Sequence, residues 1–167
     1  MIETLKLTLP LEKYGIGQAK LFDRLIEEIE QGETQIIFAD NQPIRLIQVA
    51  RIYIFCNKKQ LVESKQLIKG QGERIRNIRC ISEKFKLNES AINAACRGIK
   101  EELGICINSS DLELFGKKSE EKESPSYPGL TTRYAFYDFR WDMPEEYFNP
   151  DGYVADEGDC VTYFEWK

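Results

Sequence analysis

The order of apolar and polar positions divides the chain into short strands and two helices. Residues 2–9, Ile-Glu-Thr-Leu-Lys-Leu-Thr-Leu, alternate at period two, which predicts a half-buried strand ended by Pro10. Gly15-Ile16-Gly17 make a turn, and Leu21, Phe22, Leu25, Ile26 and Ile29 then fall on one helical face that stops at Gln31-Gly32. Ile36-Ile37-Phe38 reads as a short strand closed by Asp40-Asn41-Gln42-Pro43. From Leu46 onward strands dominate. Leu46 to Cys56, a turn at Asn57-Lys58-Lys59, and Gln60 to Ile68 predict a hairpin, and Arg74 to Phe85 a strand and loop leading into the second helix. Beyond that helix come a strand over Leu112 to Phe115, a mobile charged loop over Lys117 to Ser124 and a proline-rich turn from Ser124 to Leu130. An aromatic-rich strand over Thr131 to Trp141 follows, then a loop over Met143 to Asp151, an acidic turn at Asp156-Glu157-Gly158-Asp159, and a last strand over Cys160 to Trp166.

The second helix spans Asn88 to Ile105. Ile92, Ala95, Cys96, Ile99 and Leu103 recur at the i, i+3, i+4, i+7 spacing of one buried face. Asn88 is the expected N-cap, Glu89 sits in the first turn near the positive end of the helix dipole, and Gly104 before Ile105 fits a left-handed stop. At about 100° per residue, Glu101 and Glu102 project together from the side away from the apolar stripe. Spacing alone also describes an ordinary amphipathic helix with a solvated acidic side.

Charge and composition narrow the chemistry. The 167 residues suit one main domain, over 46–167, preceded by a strand-helix-strand extension over 1–45 that covers a sheet edge or makes a homodimer contact. There is no histidine, so Ser-His or Cys-His nucleophiles and histidine-bound zinc are excluded, and acid–base work falls to carboxylates, Lys, Tyr or Cys. The net charge of −5 is uneven: residues 44–86 hold eleven Lys and Arg against three Glu, a net of +8, which leaves −13 elsewhere. That basic block could grip phosphates or could be solvated strand and turn positions, and the acidic whole argues against a general nucleic-acid binder. Cys56, Cys80, Cys96, Cys106 and Cys160 are scattered without metal-ligand spacing and read as reduced, mostly buried thiols. No run approaches the roughly 18 apolar residues that span a bilayer, and the first residues lack a signal peptide's apolar core, so the cytoplasm is the expected location and no membrane partner is expected.

Glu89, Arg97, Ile99, Glu101, Glu102, Gly104 and Ile105 stand in the order and register of the Nudix box, Gly, five residues, Glu, seven residues, Arg-Glu-apolar-any-Glu-Glu-any-Gly-apolar. Two positions depart from it: Glu83 replaces the leading glycine and Gly98 the glutamate after Arg97. The chain thus resembles the Nudix hydrolase superfamily from roughly Leu46 to Lys167, although members usually finish with another helix. The resemblance implies an α/β fold, a Nudix-like α/β/α sandwich with a mixed sheet. It also implies cleavage of a phosphoanhydride in a nucleoside triphosphate or nucleoside diphosphate derivative, with Mg2+ or Mn2+ as cofactor and a nucleotide-type small molecule as partner. Glu89, Glu101 and Glu102 would be metal ligands; Glu101, Glu102 and the late-loop Glu157 would be catalytic; Arg97 and Gly104 would be structural, with Glu89 or Glu101 as partner of Arg97. Arg74, Arg76, Tyr127 and Arg133 are candidate substrate-binding residues, Tyr127 because Ser124 to Leu130 is similar to a Ser-Pro-Gly segment bordering substrate in some members.

The departures leave an alternative, a catalytically impaired Nudix-like domain that binds a nucleotide ligand or acts as an interaction module. Glycine inside a helix costs about 0.5–1 kcal/mol relative to alanine, so Gly98 asks for a reason. The favoured expectation is a vacated position, at which Gly98→Glu would complete an i, i+4 carboxylate pair with Glu102. The other is close approach of a side chain such as Asp156, Glu157 or a tyrosine.

Overall fold

The computed structural model describes residues 1–167 and contains three α-helices and nine strands. Its chain forms two compact units, one of Met1–Val49, Lys84–Glu89 and Lys117–Phe136, the other of Ala50–Glu83, Ser90–Gly116 and Tyr137–Lys167.

The first unit opens with a helix, α1 (Ile2–Thr8), where the period-two alternation predicts a strand. The same residues carry apolar groups at i and i+4, and burial selects that spacing: Leu5 and Leu9 are buried, while Leu7, on the alternating face, is 86% exposed. Leu5 and Leu9 enter a core with Tyr14, Leu25, Tyr127 and Leu130, against which Phe22 and Ile29 of α2 (Phe22–Glu30) also pack. β1 (Gln35–Ala39) follows and pairs antiparallel with the start of β2 (Gln42–Cys56), Gln35 opposite Leu46.

Two charged groups, Glu28 and Arg45, are buried beside this core. Glu28 is 2% exposed and accepts hydrogen bonds from Lys20 Nζ at 2.8 Å, Tyr127 Oη at 2.8 Å and the Arg45 guanidinium. Burial alone would raise its carboxyl, but the bonds from Lys20 and Tyr127 and the Arg45 charge prevail and hold it down at about 2.

The second unit contains the rest of β2, β3 (Lys59–Ile68), β4 (Gly72–Ile78), β5 (Ile81–Lys84, ending at the unit's edge), α3 (Ala91–Leu103), β8 (Tyr153–Asp156) and β9 (Cys160–Trp166). β6 (Glu113–Glu123) and β7 (Thr131–Asp142) run, like β2, through residues of both units. Hydrogen bonding orders the strands β6-β7-β2-β3-β9-β8, with β1 and β5 on β2 and β4 on β3. The β2–β3 hairpin forms as its apolar pattern requires, around Asn57 and Lys58, both in the left-handed region.

Three sequence expectations are corrected here. Lys117 to Glu123 is no loop: it continues β6, the end strand of that order, where charged residues are tolerated because they discourage further strand pairing. Asp156, expected in the acidic turn, ends a strand, Tyr153–Asp156, that the sequence pattern did not mark and that pairs antiparallel with β9, Ala155 opposite Thr162. All five cysteines are free, but only Cys56 is buried and Cys106 is exposed.

Candidate functional site

Local rules fix α3 at both ends. Ser90 is its N-cap, its side chain accepting from the Asn93 amide at 3.3 Å, and Gly104 closes it at φ 72°, in the left-handed region the sequence required. The expected cap at Asn88 is corrected: Asn88 is itself left-handed, at φ 59°, and lies before the helix. Glu89 therefore falls outside the first turn, and its carboxylate accepts from the Lys86 amide at 2.8 Å.

The buried face of α3 consists of Ala94, Ala95, Gly98 and Ile99, and the helix packs against β8. Inclusion of Gly98 rotates the buried arc toward Glu102, one turn further on. Glu101 is exposed as expected; Glu102 is half-buried, not projecting beside it, and its Oε2 has no hydrogen-bond partner.

Around Glu102 the second unit gathers other carboxylates. Burial comes first among the causes that push its carboxyl up to about 7, followed by the charges of Glu157, Glu63, Glu83 and Glu101. Glu157 comes from the acidic turn between β8 and β9, at the place the sequence marked. Glu63 comes from β3, where the register against both β4 and β9 shifts between Glu63 and Lys65. The bulge interrupts the in–out alternation, so Leu61, Val62, Glu63 and Ser64 are all buried. Burial raises the Glu63 carboxyl, and Arg76 and Arg74 pull against it. Arg76 Nε lies 3.0 Å from Glu63 Oε1, a charge contact in which neither atom completes a hydrogen bond, and Arg76 Nη1 donates to Gln66 Oε1 at 3.3 Å.

Arg97 Nη1 donates to Glu83 Oε1 at 2.6 Å and to Glu101 Oε2 at 3.1 Å. Glu101 was one of the expected partners, and Glu83 was not. Glu83 lies on β5, so the place where the resemblance puts a glycine loop is strand.

The structure thus brings Glu101, Glu102, Glu157 and Arg76 to one region of the second unit and adds Glu63 and Glu83, which the sequence reading missed. A lone glutamate inside the apolar run Leu61-Val62-Glu63 was the available signal for the first, and the irregular box position for the second. Glu89, Tyr127 and Arg133 belong to the first unit. Tyr127 is fully buried and its hydroxyl donates to Glu28, so it presents no face to a ligand; burial, that bond and the Glu28 charge raise its phenol well above the usual range. Arg133 donates to Glu121 at 2.5 Å and lines a cavity of about 300 Å³ with Lys86, Glu89, Asn88, Gln48 and Phe85.

Oxygen donors suit a hard divalent cation, and a buried carboxylate oxygen without a partner, amid like charges, is the kind of atom such a cation satisfies. In donor chemistry the residues fit. As placed, no group of three or more Asp, Glu or Cys side chains converges to hold a metal ion.

A mixed sheet with three helices is an α/β fold, consistent with the Nudix-like resemblance of the sequence. The chain is similar to a MutT/nudix family protein from Enterococcus faecalis, 19% identical at a TM-score of 0.48, over 93% of this chain and 53% of that one, so it spans about half that protein's length. It is similar also to a mutator MutT protein from Bacillus halodurans, 18% identical at a TM-score of 0.45 over 72% of this chain and 67% of that one. A third likeness is to the dihydroneopterin triphosphate pyrophosphohydrolase of E. coli, 22% identical at a TM-score of 0.39 over 58% of this chain and 68% of that one. No argument on fold or activity is carried across these likenesses. No family model matches the sequence, nor does any curated protein. No helix is long and apolar enough to cross a membrane.

Proposed function

We propose that the protein is a Nudix-type hydrolase that cleaves a phosphoanhydride of a nucleoside triphosphate or nucleoside diphosphate derivative with Mg2+ or Mn2+. The observation that carries the reading is Glu102: a carboxylate with a buried, unpartnered oxygen on the helix that bears the box-like order, under the charges of Glu157, Glu63, Glu83 and Glu101. Glu102, Glu101 and Glu157 would hold the cation, which when bound neutralises phosphate charge and orients water. Arg97 holds the Glu101 carboxylate in place, and Arg76 with Arg74 supplies positive charge beside Glu63, the sign an anionic substrate needs. Glu89, expected among the ligands, keeps that assignment only if its carboxylate leaves the Lys86 amide.

A second reading is favoured by the absence of a preformed three-donor group and by the cavity lined by Arg133, Lys86 and Gln48 in the first unit: a domain that binds a nucleotide-type ligand without turning it over. The test is release of phosphate or pyrophosphate from a panel of nucleoside triphosphates and diphosphate derivatives, with Mg2+ and with chelator. Metal-dependent release supports the hydrolase. Thermal stabilisation by a nucleotide with no release from any substrate selects the second reading.

A further inference from the structure

The two departures from the box meet in space. A Cβ built on Gly98 would lie 3.0 Å from Glu83 Cβ and 3.3 Å from Glu83 Cγ, with Ile81 Cγ2 at 3.5 Å. The position is therefore not vacated, and the side chain over it is none of Asp156, Glu157 or a tyrosine. The first atoms of Glu83 press against the place of a Cβ at 98, closer than ordinary van der Waals contact, and the Glu83 carboxylate reaches Arg97 Nη1 at 2.6 Å. It is also among the charges that act on Glu102.

We infer that Glu83 and Gly98 are a reciprocal exchange: Glu83, from β5, supplies the carboxylate that α3 lacks at 98, and Gly98 is glycine because Glu83 needs its space. Glu83 is then a positioning residue of the same site, holding Arg97 and adding negative charge to the Glu101–Glu102 side of the helix. The inference rests on the hydrolase reading for what the carboxylate is used for, and on geometry alone for where it is.

Each half of the exchange then fails without the other. Gly98→Glu alone drives a second side chain into Glu83 and doubles the charge there. Glu83→Gly alone uncovers Gly98 and leaves Arg97 without its 2.6 Å partner. The double variant Glu83→Gly/Gly98→Glu returns one carboxylate to the same place from the helix.

The experiment is a thermal-melt cycle on the full chain, unaltered, with each single variant and with the double, in chelator and again in excess Mg2+. Without metal, both singles should melt several degrees lower and the double should recover most of the loss. With Mg2+, its stabilising shift should shrink in both singles and return in the double, a recovery that packing alone would not give. Should Gly98→Glu fail to fold, Gly98→Ala serves: beside Glu83 it should gain nothing or lose stability, and in the Glu83→Gly background it should gain, as alanine for glycine ordinarily does in a helix. Additive losses in chelator, or the same Gly98→Ala effect in both backgrounds, overturn the exchange. Recovery in chelator with a Mg2+ shift that stays small in the double overturns the positioning role. A cycle that recovers in chelator while Mg2+ shifts none of the four proteins, the unaltered one included, keeps the exchange and removes the metal-site reading.

Discussion

Replacing Glu102 by Gln removes one charge and almost no volume, so its effect on stability should be electrostatic. In the folded chain this carboxyl holds its proton to about pH 7, against an ordinary 4.5. As pH rises through 4.5 the unfolded chain gives up that proton while the folded chain keeps it, so stability falls from there until about pH 7 and then levels. At about 1.4 kcal/mol per pH unit the full difference is about 3 kcal/mol, and solvent reaching the half-buried side chain brings it to about 1–3 kcal/mol. The amide of the Glu102→Gln variant does not titrate and would show no such loss. The variant should therefore match the unaltered protein below pH 4.5 and exceed it increasingly up to pH 7, reaching a melting temperature roughly 2–9 °C higher at pH 8 in chelator. Saturating Mg2+ at pH 8 should stabilise the unaltered protein and erase the variant's advantage, because a bound cation replaces the missing partner. Melting curves from pH 4 to 8.5 would refute this if the two proteins ran parallel, or if the Gln variant were the less stable at pH 8 without metal.

Other outcomes are expected away from that carboxylate. Ile99, fully buried on α3, should not tolerate Asp: an unpaired charge there should cost more than about 4 kcal/mol, and a folded, soluble Ile99→Asp by circular dichroism would contradict the helix orientation. Tyr127→Phe takes one of the donors from buried Glu28 and should cost about 1–2 kcal/mol in chemical denaturation, with no change in the Mg2+ shift; loss of ligand binding alone would return Tyr127 to the substrate site. Ser90→Ala should cost about 1 kcal/mol in chemical denaturation through loss of the cap bond, and unchanged stability would contradict the observed cap.

Where sequence pattern and tertiary packing agreed, the fold was legible. The helical period of α3, its Gly104 stop, the β2–β3 hairpin and the final strand all follow from local rules, although of the expected α3 stripe only Ala95 and Ile99 are buried. α1 was not legible, because residues 2–9 satisfy both periods and only burial of Leu5 and Leu9 chooses the helix. The charged run in β6 has strand geometry without strand composition, since an end strand can carry charge on both faces. In the site, order along the chain marked Glu101, Glu102 and Glu157, but angle around the helix misjudged Glu102. Burial of Gly98 depends on Glu83, fifteen residues earlier on another element, and no helical periodicity contains it. Glu63 depends on a bulge, which is a property of strand pairing.

The α3 carboxylates are proposed to serve Mg2+-dependent cleavage of a nucleotide phosphoanhydride. This role is tested most directly by measuring phosphate and pyrophosphate release from nucleotides at limiting Mg2+ by the unaltered protein, Glu102→Gln and Glu101→Gln side by side. Mg2+-dependent release by the unaltered protein is expected, with near-complete loss in Glu102→Gln and a lesser loss in Glu101→Gln, all three being folded. Release at the unaltered rate by the folded Glu102→Gln protein, or release indifferent to Mg2+, would contradict it.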